Sequence, residues 1–204
     1  MNYLAHLFLA GTDPEAQLGG LLGDFVKPGS GPVFAPLIER EIRLHRMIDS
    51  YTDAHPVVSA AKSVFRPAAR RYAGIILDVY YDHCLAATWR TYSAEDLDFF
   101  IKRFYRGLQN TGVELPERLK LRAPMMISEH WLGSYRTHAG FETAMVRLST
   151  RLSRGAADMI SGLADVAEHA DLLRESFRAF FPELREHVER SRAQMSESPT
   201  IIPT

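Results

Sequence analysis

The sequence predicts an all-α protein, a single-domain helical bundle of about eight helices, on three observations. Apolar residues recur at helical spacing along most of the chain, and almost nothing alternates as a half-buried strand would. Prolines sit where helices begin, at Pro14 and Pro36, or just past where one ends, at Pro56. A chain of 204 residues with 46% hydrophobic and 24% charged content is long enough for one well-buried core, and no repeat or low-complexity linker divides it.

The elements follow in order. A short apolar helix over about 2–10 leads to a second over about 14–26, rich in Leu18, Leu21, Leu22 and Phe25. "KPGSGP", residues 27–32, is a loop because both Gly and Pro interrupt regular structure there. Pro36 opens a long helix to about residue 54. Further helices are expected at about 57–65, 67–91, 94–110, 124–137, 140–153 and 168–192. Ser93 followed by Glu95 and Asp96 supplies a cap with acids in the first turn. The domain covers residues 1–195, and "SESPTIIPT", residues 196–204, has too little to bury and is expected to be disordered.

Bulk properties exclude several classes. A formal net charge of −1 does not suit a nucleic-acid binder. Cys84 is the only cysteine, which rules out an intrachain disulfide and a thiolate zinc cage and fits a reducing cytoplasm. "MNYLAHLFLAG" has no basic leader, and no apolar run approaches the length of a bilayer span, so a cytoplasmic protein with no membrane partner is expected. The oligomeric state stays open.

The chemistry lies in acids placed where apolar residues belong. In "LDVYYDHCL", residues 77–85, Asp78, Asp82 and His83 lie in a helix that is apolar on every side. In "HRMIDSYTDAHP", His45, Asp49 and Asp53 follow one another at four-residue steps and point toward the core side. Asp24, in "GGLLGDFVKPG", sits near the end of an apolar helix, where a carboxylate opposes the helix dipole. An unpartnered buried carboxylate costs several kcal/mol, so something positive must sit among Asp24, Asp49, Asp78 and Asp82. Arg43, Arg46, Arg70 and Arg71 are one source of that charge. A divalent cation is the other, and two histidines among four acids, with His6 as a third, look more like ligands than salt-bridge partners. That ligand set suits manganese, iron or zinc better than calcium or magnesium. Gly19, Gly20 and Gly23 do not make a phosphate loop, since no strand precedes them and the Lys-Ser/Thr ending is missing.

Five stretches in order, "MNYLAHLFLA", "GDFVKP", "HRMIDSYTDAHP", "LDVYYDHCL" and "EHWLGSYR", resemble the acyl carrier protein phosphodiesterase family over residues 1 to about 136. The resemblance implies an all-α, HD-like relative of the metal-dependent phosphohydrolases, with Mn²⁺ as the usual metal and Mg²⁺, Fe²⁺ or Zn²⁺ as alternatives. It implies hydrolysis of the phosphodiester that joins 4′-phosphopantetheine to the serine of holo acyl carrier protein. HD enzymes are named for an adjacent His-Asp pair, whereas this chain carries Asp82-His83 in reverse order. Ligand order therefore cannot be copied. An ion in the groove between the directions of Asp82 and His83 would also meet His45 from a facing helix and Asp24 from the loop end. Asp49, Asp53 and Asp78 would then orient imidazoles or hold a second ion. The cation would activate water for attack on phosphorus, with His6, or else His83, giving a proton to the leaving serine oxygen.

Lys27 and Arg46 are candidates to bind the phosphoryl group, Arg with the better fork, and Trp131 and Tyr135 to line the channel for the arm; ordinary surface and core roles are the alternatives. An acidic carrier protein would call for a basic face. Arg66, Arg70 and Arg71 offer one, Arg118, Lys120 and Arg122 a second, and Arg40 and Arg43 a third. Two rival functions remain: an HD-type hydrolase of a small nucleotide or other phosphodiester, and a non-catalytic helical module whose acids and arginines form a closed ion-pair network.

Overall fold

The computed structural model describes residues 1–27 and 33–197, and every regular element among them is an α-helix. The helices are α1 Tyr3–Ala10, α2 Pro14–Leu22, α3 Pro36–Ala54, α4 Pro56–Lys62, α5 Pro67–Arg70, α6 Ala73–Ala87, α7 Trp89–Tyr92, α8 Leu97–Gln109, α9 Glu117–Ser128, α10 Trp131–Ser134, α11 His138–Ser149, α12 Ala156–Glu168 and α13 Ala170–Glu197. The all-α bundle is as expected, but it is cut into thirteen pieces rather than about eight. The predicted loop at 27–32 lies outside the described residues except for Lys27, and the predicted tail except for residues 196 and 197, which end α13.

Local chemistry accounts for the boundaries. Asp13 caps α2 by accepting from the amides of Glu15 and Ala16, with Pro14 at the first helical position where its missing N–H is not needed. Asp96 and Thr137 cap α8 and α11 in the same way, accepting from Asp98 N and Gly140 N. The stretch predicted as one helix over 67–91 is three, interrupted at Arg71-Tyr72 and at Thr88. The stretch predicted from residue 124 instead begins at Glu117, with Pro124 inside it, and stops where His130 takes the left-handed conformation at φ 50°. Helix α12 was not expected. Its buried face, Met159, Gly162, Asp165 and Val166, has small and polar members where an apolar stripe would normally signal it.

The core explains why α6 looked apolar all round. It is wrapped by α1, α4, α11, α12 and α13, so Ile76, Leu77, Tyr80, Tyr81 and Leu85 are all buried although they point in different directions. Tyr81 reaches α13 and shares a 2.7 Å hydrogen bond with Ser176, beside fully buried Phe177 and Phe180. Helices α1, α2 and α3 form the layer that carries the polar cluster. Glycine permits their approach: a Cβ at Gly19 would lie 2.7 Å from the Ile38 carbonyl oxygen, and one at Gly20 would lie 3.2 Å from the His6 carbonyl oxygen. No helix among the described residues is long and apolar enough to cross a membrane.

Candidate active site

His45 lies on the buried face of α3 and points at α2, where its Nδ1 donates to the Gly20 carbonyl at 2.7 Å. A carbonyl only accepts, so this bond fixes the proton on Nδ1 and turns Nε2 toward the carboxylates. Gly23 makes room, since a Cβ there would overlap the His45 ring. His6, from α1, stacks on His45 with ring centroids 3.6 Å apart and planes 13° from parallel. Asp49, one turn beyond His45, joins the two rings, with oxygens 3.2 Å from His45 Nε2 and 3.1 Å from His6 Nε2. The short turn after α2 brings Asp24 to 3.7 Å from His45 Nε2.

The Met1 ammonium adds a positive charge, 2.9 Å from Asp78 and 3.4 Å from Asp49. Motif reading offered arginines or a divalent cation for this purpose and missed the amino group, which carries no side-chain signal. His6 and His45 are buried, whereas Asp24 and Asp49 keep about two-fifths of their side chains exposed, so the cluster is walled on the protein side and open on the acid side.

The two imidazoles behave oppositely. Burial lowers the pKa of His6, and the neighbouring His45 lowers it further, to about 4, against the pull of Asp49. Burial opposes charge on His45 too, but hydrogen bonds and charges from Asp24 and Asp49 outweigh it and raise its pKa to about 9. Asp49 is burdened by burial, yet its hydrogen bonds to His45 and His6 hold it well below the usual carboxylate range. Asp24 is also lowered: burial raises it, and the His45 contact more than offsets that.

One donor atom each from His6, His45 and Asp49 lie within 4.8 Å of one another. Two imidazole nitrogens and a carboxylate oxygen suit a first-row divalent metal, the Nδ1 bond to Gly20 orients one ligand, and His6 Nδ1 is buried with no hydrogen-bond partner. The residues fit a metal ion.

The rest of the predicted site divides. Of the four predicted metal ligands, His45 and Asp24 converge, while Asp82 and His83 are not brought to them. Asp82 is fully buried and accepts from Leu4 N at 2.7 Å and Ala5 N at 2.9 Å. It thereby caps α1 from another helix, because Asn2 makes no side-chain cap bond. Burial pushes its pKa up to about 7, against these two hydrogen bonds. His83 turns away, its Nδ1 donating to the Tyr135 carbonyl at 2.7 Å and its ring tilted against Tyr80 and Phe141. Asp78 pairs with the Met1 ammonium and Asp53 with Lys62 at 2.8 Å.

Among the predicted substrate-binding residues, Arg46 donates to the Val26 carbonyl at 2.9 Å and Lys27 is exposed at the end of the turn after Asp24. Arg70 donates to the carbonyls of Phe65 and Ser63, and Arg71 to the Tyr72 hydroxyl; α5, which carries Arg70, packs chiefly on α12. Trp131 is buried, with Nε1 donating to Glu129 at 2.8 Å, and the Tyr135 hydroxyl accepts from Asn2 Nδ2 at 2.7 Å.

Comparison with known proteins gives a consistent result. The family described as acyl carrier protein phosphodiesterase matches residues 1–184. Relatives named acyl carrier protein phosphodiesterase include one from Escherichia coli, 34% identical over 194 residues, covering 93% of this chain and 98% of the relative. Those from an Enterobacter species and from Pectobacterium atrosepticum are 33% and 32% identical over 185 residues, covering 90% of this chain and 95% of each relative. No solved structure matches the chain.

Proposed function

The chain belongs to the acyl carrier protein phosphodiesterase family, and from that premise we propose that it hydrolyses the phosphodiester between 4′-phosphopantetheine and the serine of holo acyl carrier protein, releasing apo acyl carrier protein and 4′-phosphopantetheine. The observation that carries this reading is the convergence of His6, His45 and Asp49 beside Asp24, on an edge of the α1–α2–α3 layer that is open on its acid side. These four residues would hold the divalent cation, Mn²⁺ before Mg²⁺, Fe²⁺ or Zn²⁺. When bound, the cation would supply Lewis acidity, lowering the pKa of water and withdrawing charge from the phosphoryl oxygens.

The chain's own groups do the rest. Gly20 and Gly23 hold the His45 ring between a carbonyl and a space without a Cβ, which fixes the direction of Nε2. Asp49 sets the spacing of the two imidazoles through its two oxygens. Burial keeps His6 neutral at physiological pH, so in this reading it offers a lone pair as ligand or base rather than a proton to the leaving serine oxygen. Asp78 acts at one remove by binding the Met1 ammonium that also faces Asp49. Asp82 and His83 support the site by fixing the start of α1 and the position of Tyr135.

Turnover of holo acyl carrier protein compared with free coenzyme A and cyclic nucleotides tests the substrate. The reading expects cleavage of the carrier protein with little of the others; equal cleavage of the small diesters would replace it with a small-substrate hydrolase.

A further inference from the structure

Beside the His/Asp cluster, the start of α1 borders a shallow recess lined by Asn2, Tyr3, Trp131, Tyr135, Arg147 and Arg151. Tyr3 lies one turn before His6, and its ring stacks on Phe25, the residue after Asp24, at 6.4 Å between centroids. The Arg122 guanidinium, from α9, lies 6.0 Å over that Phe25 ring. Arg151, just past α11, lines the recess beside Tyr3. Asp24, Arg151 and Arg122 all act on the Tyr3 hydroxyl, whose pKa is raised first by burial and then by Asp24, with the two arginines opposing. One tyrosine thus links the acidic centre to two guanidiniums from different helical segments.

These two arginines differ from their neighbour. Arg147 is spoken for, 4.1 Å over the Trp131 ring and 3.1 Å from Glu129. Neither Arg122 nor Arg151 has a carboxylate partner among the described residues. Asp24, Asp49 and Asp78 face the Met1 ammonium and His45 among the described residues, and a phosphodiester held beside three carboxylates gains from further positive charge next to that centre. Guanidinium forks match phosphoryl oxygens in shape and charge, and exposed or half-buried arginines beside an aromatic floor are placed to grip one without a large rearrangement.

We infer that Arg151 and Arg122, converging over Tyr3 and Phe25, form an anion clamp that holds the phosphoryl group of the phosphopantetheine arm beside the His/Asp centre. The inference rests on the function proposed above for its choice of ligand, and it moves phosphoryl binding from Lys27 and Arg46 to Arg122 and Arg151.

Calorimetric titration of the full chain with 4′-phosphopantetheine and with pantetheine, which lacks the phosphate, tests the clamp. The wild-type chain is expected to prefer the phosphorylated arm, and Arg151→Gln and Arg122→Gln each to weaken its binding by about tenfold or more while leaving pantetheine unchanged. Arg151→Lys should keep part of the affinity, and Arg106→Gln, on exposed α8 surface, should keep all of it. Circular dichroism confirms that each variant is folded. Wild-type affinity in both Gln variants, or no preference for the phosphorylated arm in the wild type, overturns the clamp. Loss of binding in the variants together with a wild type that leaves holo acyl carrier protein intact would keep the clamp and discard the proposed reaction.

Discussion

His45 carries a proton at neutral pH in the metal-free protein because Asp24 and Asp49 raise its pKa to about 9, and a ligand must give that proton up. Binding of Mn²⁺ at pH 7 should therefore release about one proton and tighten as pH rises toward 9; calorimetry in buffers of different ionisation enthalpy reads the release directly. The sign for stability is opposite. His45 has a folded pKa above its ordinary 6.5, so the stability it contributes without metal is complete below about pH 6.5 and is lost as pH rises through about 9. Gly23→Ala is predicted to displace the His45 ring and lower metal affinity at least tenfold, by analogy with the loss of an orienting contact, measured by competition with a chelating dye. His6, His45, Asp24 and Asp49 were legible as polar groups on apolar helix faces. Asp82 was just as visible, but its partners are backbone amides 77 and 78 residues away, and no side-chain pattern announces an amide.

Asp82 makes its own prediction at the level of helix α1. Asp82→Ala removes both acceptors for the buried amides of Leu4 and Ala5 and should cost about 1–3 kcal/mol of stability, whereas Asp82→Asn keeps one oxygen and should cost less. Urea unfolding measures both, and unchanged Mn²⁺ affinity in the Asn variant would separate this capping role from direct ligation. Most helices other than α12 were legible from periodicity, and helix starts were legible where a proline marks them, as at Pro14 and Pro36, whereas the cap of α8 is Asp96 and not the expected Ser93. The breaks at Arg71-Tyr72 and Thr88 were not legible, because no proline or glycine marks either position. Pro124 misled in the other direction, standing inside α9 where proline more often opens a helix.

At the scale of the molecule, α1, α2 and α3 place two histidines and two aspartates at an open edge, α6 braces α1 from behind through Asp82, and α9 with the end of α11 brings arginines to one side. In the function proposed above, the anionic substrate is held at the arginine side and cut at the acidic side. Single-chain patterning located the acids and histidines but not the approach of Arg122 to Phe25 or of Arg151 to Tyr3, which only the folded protein brings about. The most direct measurement is the intact mass of holo acyl carrier protein after incubation with the wild-type chain and Mn²⁺, with Asp49→Asn in parallel. The account predicts a shift to the mass of apo acyl carrier protein with the wild type, abolished by chelator and reduced by orders of magnitude in Asp49→Asn. An unchanged holo mass with folded, metal-loaded wild-type protein, or full conversion by Asp49→Asn, would contradict it.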